Sequence, residues 1–207
     1  MPTLACAIAL ILFLASPVSA IVITGGTFDV VGQAGPGVLN ISGEGFSATA
    51  NAGFLGGVGP GFPCPCGEGA TISLHALWSG VDLGGTVVLD GTTYQVGQAL
   101  SGSPQLSIEF NGSLIAPAFT APMLVTVSAP FTFSGTFTTF TAGLQSSVPL
   151  TGSGIAEMTL QRIQTPQAWG TGRTVYSFDV VPEPTTLLLI GTGLVGLGTA
   201  AWKRRRG

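Results

Sequence analysis

An antiparallel β-sandwich or jelly-roll-like domain, with a flattened barrel as the alternative, is the fold that this 207-residue chain predicts for its central region. Three observations lead there. Apolar residues recur at every second position in several short segments, as strands with one buried face require. Asp90-Gly91 and Asn111-Gly112 follow such segments and can supply left-handed hairpin turns. No stretch between residues 21 and 181 spaces its apolar residues as a helix would.

The chain opens on an apolar run, Leu4 to Ala15, followed by Ser16-Pro17 and Val18-Ser19-Ala20. The run is too short to span a bilayer, and small residues at 18 and 20 suit signal peptidase. Residues 1–20 therefore read as a secretory signal helix cleaved after Ala20, although the first ten residues contain no Lys or Arg. Cys6 would leave with it. Residues 21–181 then form one exported domain, long enough to bury a core.

Within that domain the expected buried faces follow in order. They are Ile72, Leu74, Ala76 and Trp78; Leu106, Ile108 and Phe110; Met123, Val125 and Val127; Phe131, Phe133 and Phe137; Ala156, Met158 and Leu160; and Tyr176, Phe178 and Val180. The residues between them, such as Ser107, Glu109, Thr132, Ser134 and Glu157, face water or a ligand. Residues 53–69, GFLGGVGPGFPCPCGEG, are a long Gly- and Pro-rich loop holding Cys64-Pro65-Cys66. In an oxidising compartment Cys64 and Cys66 can form a local disulfide; free thiols, intermolecular links, a redox pair and a metal site are the alternatives. For metal, Glu68 and His75 are the nearest further ligands, but Cys-x-Cys lacks zinc spacing, so neither a metal nor a cofactor is expected. His75 reads as a solvated strand histidine.

Charge excludes one class of partner. Eight acidic residues (Asp29, Glu44, Glu68, Asp82, Asp90, Glu109, Glu157, Asp179) face two basic ones (Arg162, Arg173) in the exported region, and no lysine precedes Lys203. Such a surface has nothing to neutralise phosphates, so nucleic acid is not a partner. With one histidine, no Gly-x-Ser-x-Gly and no exported lysine, nucleophilic catalysis lacks members. Asp82, Asp90 and Glu109 remain as carboxylates for glycoside hydrolysis, with turn and solvent-face roles as the plainer reading.

The C-terminus carries Pro182-Glu183-Pro184, an apolar run at 185–202, and Lys203-Arg204-Arg205-Arg206. Eighteen helical residues measure about 27 Å, the thickness of a bilayer core, and the four cations stay on the cytoplasmic side. Gly191-x-Gly193-x-x-Gly196 matches a dinucleotide fingerprint in letters only, since it lies inside this run and not in a βαβ unit. The order of tripeptide, apolar helix and basic cluster resembles the PEP-CTERM sorting tail over residues 182–207. The resemblance implies that Pro182, Glu183 and Pro184 are the motif read by an exosortase of a Gram-negative bacterium that makes exopolysaccharide. It further implies that Lys203, Arg204, Arg205 and Arg206 retain an inner-membrane precursor before processing.

Two functions are expected from this. The first is a non-enzymatic structural or adhesive protein of the cell surface or extracellular exopolysaccharide matrix. The second is a carbohydrate-binding module with an aromatic platform, for which Trp169, between Thr165-Pro166 and Gly170-x-Gly172, is the best-placed ring; a buried anchor is its competing role.

Overall fold

The computed structural model describes residues 19–32, 36–53, 59–61, 65–97, 102–141, 144–164 and 167–178. The expected signal helix, membrane helix and sorting motif lie outside these, apart from Ser19 and Ala20. The described residues are all-β, with no α-helix and one short 3-10 turn at Gly80–Asp82. The strands are β1 (Ile21–Val31), β2 (Gly37–Gly43), β3 (Phe46–Ala52), β4 (Thr71–Ser73), β5 (Ala76–Trp78), β6 (Leu83–Leu89), β7 (Thr92–Val96), β8 (Gln105–Ile115), β9 (Leu124–Thr141), β10 (Leu144–Gln164) and β11 (Gln167–Ser177).

All belong to one sheet in the order β4-β8-β9-β10-β11-β1-β2-β3-β6-β7, with β5 also on β8. Pairing is antiparallel throughout except where Ile21–Ile23 of β1 run parallel to Leu150–Gly152 of β10. The sheet curls until distant strands face each other. Phe28 of β1 meets Trp78 of β5 at 4.6 Å and Phe110 of β8 at 5.2 Å. Phe46 of β3 and Tyr94 of β7 both reach Phe137 of β9, at 6.3 and 5.3 Å. The two layers expected of a sandwich are thus two halves of one continuous sheet, closed over a shared aromatic core. Each large side chain in it contributes about 1.5–3 kcal/mol by leaving water.

The period-2 faces predicted the core well. Ile72, Leu74, Ala76, Trp78, Leu106, Ile108, Phe110, Phe131, Phe133, Phe137, Ala156, Met158, Leu160, Tyr176 and Phe178 are all buried. Three expectations need correction. Residues 71–78 form two short strands rather than one, with Leu74 and His75 between them. Met123 is exposed and precedes β9, leaving Val125 and Val127 half-buried. Asn111-Gly112 is no turn but lies within β8. A Cβ on Gly112 would sit 2.8 Å from the Pro130 carbonyl oxygen, so glycine is needed there for close strand approach. At that point β8 stops pairing with β9 and continues against β4. Asp90-Gly91, in contrast, is the expected two-residue hairpin turn, with φ of 48° and 78°.

Candidate functional site

The segment that carries the tail is held deep in the fold. β11 lies between β10 and β1, and not at an edge. Its last turn outward is fixed by Phe178, which is 1% exposed and whose N–H donates to the Gly26 carbonyl at 2.9 Å. Two residues earlier, the Tyr176 hydroxyl donates to the Leu74 carbonyl at 2.7 Å. Burial pushes that phenol far above its ordinary range. Glycines make this junction possible. A Cβ on Gly154 would lie 1.9 Å from the Ser177 carbonyl oxygen, and one on Gly26 would lie 2.0 Å from that of Asn40. Around these positions β10 passes from β1 to β11 as a partner, and β1 passes from β10 to β11. Pro182 is four residues beyond Phe178, a reach of at most about 14 Å of extended chain. Pro182, Glu183, Pro184 and the basic cluster Lys203, Arg204, Arg205 and Arg206 lie outside the described residues.

The polar groups of the domain are scattered, and most of them serve the fold. His75 Nε2 lies 3.2 Å from Glu109 Oε1, which also accepts from Asn111 Nδ2 at 3.2 Å. His75 sits in the β4–β5 connection and not on a strand. Glu68 is elsewhere, accepting the Phe119 N–H at 2.9 Å, so the two imagined metal ligands have different partners. Among the described residues no three His, Cys, Asp or Glu groups converge as metal ligands. Arg173 forks onto Asp29, with Nε 2.7 Å from Oδ1 and Nη2 in contact with Oδ2. The hydrogen bond and charge of Asp29 raise the guanidinium pKa further. Arg162 is not a surface cation: its Nη1 donates to the carbonyls of Phe119 and Ala121, clasping the loop before β9.

Trp169 is the buried anchor rather than an exposed platform, and it stands in a strand rather than a loop. It lies in β11, is 0% exposed, and its Nε1 donates to the Pro117 carbonyl at 2.8 Å. Its backbone forms a bridge to Cys66, with N···O distances of 2.8 and 2.9 Å, and Phe119 stacks beside the ring at 6.1 Å. Cys66 is disulfide-bonded; Cys64, its expected partner, is outside the described residues. Trp78 and Tyr176 are equally buried, so none of these three rings presents a face to a sugar. Asp82 and Asp90 stand at opposite ends of β6, about 26 Å apart along the strand. Glu109 instead borders an open depression of about 170 Å³ with Leu77, Ser107, Ser134 and Thr136, smaller than ordinary ligand pockets of roughly 300–1,000 Å³.

The deciding comparison concerns the tail. The PEP-CTERM protein-sorting motif matches residues 180–206. The tail of this chain is a PEP-CTERM sorting motif. It implies an exported protein that an exosortase processes and sorts to the cell surface. No curated protein and no solved structure matches the chain. The motif begins two residues after Phe178, so the PEP-CTERM tail follows directly from a core strand without an intervening linker domain. Among the described residues no helix is long and apolar enough to cross a membrane.

The importance of Arg162, the Cys66–Trp169 bridge and the strands β1 to β3 was not read from the sequence. β3, FSATANA, alternates perfectly, but its inward residues after Phe46 are alanines. A hydropathy pattern built on large side chains overlooks them.

Proposed function

We infer that the protein is a non-enzymatic structural or adhesive component of the bacterial surface or exopolysaccharide matrix. It is made as an inner-membrane precursor with its C-terminus in the cytoplasm, and an exosortase then parts it from its helix and basic cluster. The observation that carries this reading is the PEP-CTERM match placed directly after an interior strand. The β-domain is thereby the cargo joined to a sorting address. Asp82 and Asp90 at opposite ends of β6, the small open depression beside Glu109 and the pairing of Arg162 with backbone carbonyls and of Arg173 with Asp29 support a passive role for that cargo. Aromatic stacking on a glycan finds no support in the buried Trp78, Trp169 and Tyr176, and of the four rings only Tyr94, half-buried against Phe137, keeps part of its surface in solvent.

The test is replacement of Pro182, Glu183 and Pro184 together by alanine in the producing bacterium, followed by fractionation. The altered chain should accumulate uncleaved in the inner membrane while the parent reaches the surface. Equal surface display of both would overturn the reading.

A further inference from the structure

The outer face of the sheet dips where β5, β8 and β9 lie side by side. Leu77 of β5, Ser107 and Glu109 of β8, and Ser134 and Thr136 of β9 surround the depression of about 170 Å³. Strand register builds it. Glu109 stands opposite both Leu77 and Ser134, and Ser107 stands opposite Thr136. Directly opposed side chains are about 4.5–5.5 Å apart, and those two residues along a strand about 7 Å apart. Between the two rows Ile108 faces the core and Gly135 has no side chain, so the floor is backbone.

The polar groups around it are the ones that the fold leaves over. His75 Nε2 and Asn111 Nδ2 both lie 3.2 Å from the same oxygen of Glu109, Oε1, and among the described residues Oε2 has no partner. Other outward hydroxyls of these strands are engaged. Thr138 pairs with Ser147 at 3.1 Å, and Thr132 donates to the Asn111 carbonyl at 3.5 Å. The hydroxyls of Ser107, Ser134 and Thr136 have no such partner among the described residues. Glu109 is held at one oxygen and open at the other, beside three free hydroxyls and one exposed apolar side chain.

We propose that this depression binds one neutral pyranose unit of a polysaccharide. Glu109 Oε2 accepts from adjacent sugar hydroxyls, in charge-assisted hydrogen bonds. The Ser107, Ser134 and Thr136 hydroxyls donate or accept as the ring requires, and Leu77, 47% exposed, covers a C–H face of the sugar. Charge and hydrogen-bonding capacity select this class of ligand. Uronate, sulfate and phosphate groups are repelled by a carboxylate with no arginine or lysine beside it, since Arg162 is committed to the Phe119 and Ala121 carbonyls and Arg173 to Asp29. A metal ion would need more ligands than Glu109 and His75, and among the described residues no third His, Cys, Asp or Glu joins them. A wholly apolar ligand would strip water from a carboxylate and three hydroxyls without replacing its hydrogen bonds. The shallow site takes a single unit at on the order of millimolar affinity, so a polymer is held by many copies acting together on a surface. The inference rests on the surface reading and deepens it, by naming what the protein adheres to and where.

Titration of the processed protein with the methyl glycosides of glucose, galactose and mannose, followed by amide NMR shifts, tests it. At least one should saturate in the millimolar range with its largest shifts at Leu77, Glu109, Ser134 and Thr136, and the methyl glycoside of galacturonic acid should move none of them. Glu109→Gln should remain folded and bind about tenfold more weakly, as loss of a hydrogen bond to a charged acceptor requires. Ser134→Ile, which fills the depression from an exposed position on a strand, should not bind. Glu157→Gln, which removes an exposed carboxylate elsewhere on the sheet, should bind like the parent. No saturable binding by any of the three neutral glycosides, shifts scattered over the domain, an unchanged affinity in Glu109→Gln, or a loss of binding in Glu157→Gln would each overturn the proposal. A protein that binds none of them and still reaches the surface loses the glycan site and keeps the sorting reading.

Discussion

Tyr176 joins chemistry to stability in one side chain. Its ring packs 4.3 Å from Phe110 and 5.2 Å from Phe131, while its hydroxyl satisfies the Leu74 carbonyl. Because burial raises its pKa above the ordinary 10.0, the folded state holds a neutral phenol where the unfolded chain would ionise. Its contribution is fully present below pH 10.0 and is lost as pH rises further, at up to about 1.4 kcal/mol per pH unit. Urea unfolding of the parent between pH 8 and pH 11 should show this fall. Tyr176→Phe should begin about 1 kcal/mol less stable, from the lost hydrogen bond, and fall less steeply. Equal slopes would contradict the assignment. Trp169 shows where residue-level reading from sequence runs out. Thr165-Pro166 and the nearby glycines suggest a loop, yet Gly170 and Gly172 lie within β11. The ring is buried by Pro117, 52 residues earlier in sequence, and by the Cys66 bridge, which no local pattern announces.

At the level of elements, alternation was legible and partner exchange was not. Phe131, Phe133 and Phe137 mark the inward face of β9 because each has its own buried site. Asp90-Gly91 marks a hairpin because the backbone there must turn left-handed. The same chemistry misleads at Asn111-Gly112, where glycine serves close packing in an extended strand. Gly26 and Gly154 extend this lesson: each lies within a strand, and its need arises from the backbone of a neighbouring strand, Asn40 of β2 for Gly26 and Ser177 of β11 for Gly154. Gly154→Ala should therefore destabilise the domain by about 1–3 kcal/mol, since the added carbon meets backbone that cannot rotate away. The urea midpoint of the purified variant measures it. A midpoint equal to the parent's would mean that β10 and β11 can separate there without cost.

The whole molecule divides by what each part's sequence can reveal. The tail is legible because its function resides in linear order, tripeptide before apolar run before basic cluster, and the family match falls on the same residues. The β-domain is legible as a fold because burial leaves a period, but its working surface leaves none. That β1 and β8 pair with only part of the β9–β10 hairpin emerges from the strand register and not from the sequence. An acidic domain whose buried Phe178 stands four residues before Pro182 fits delivery as the cargo of a sorting tail. The most direct measurement of that account is the intact mass of the protein recovered from the cell surface. It should correspond to a chain beginning at Ile21 and ending near Pro182–Pro184, with the membrane helix and basic cluster gone and any attached group added. A surface form that retains the chain through Gly207 would contradict it.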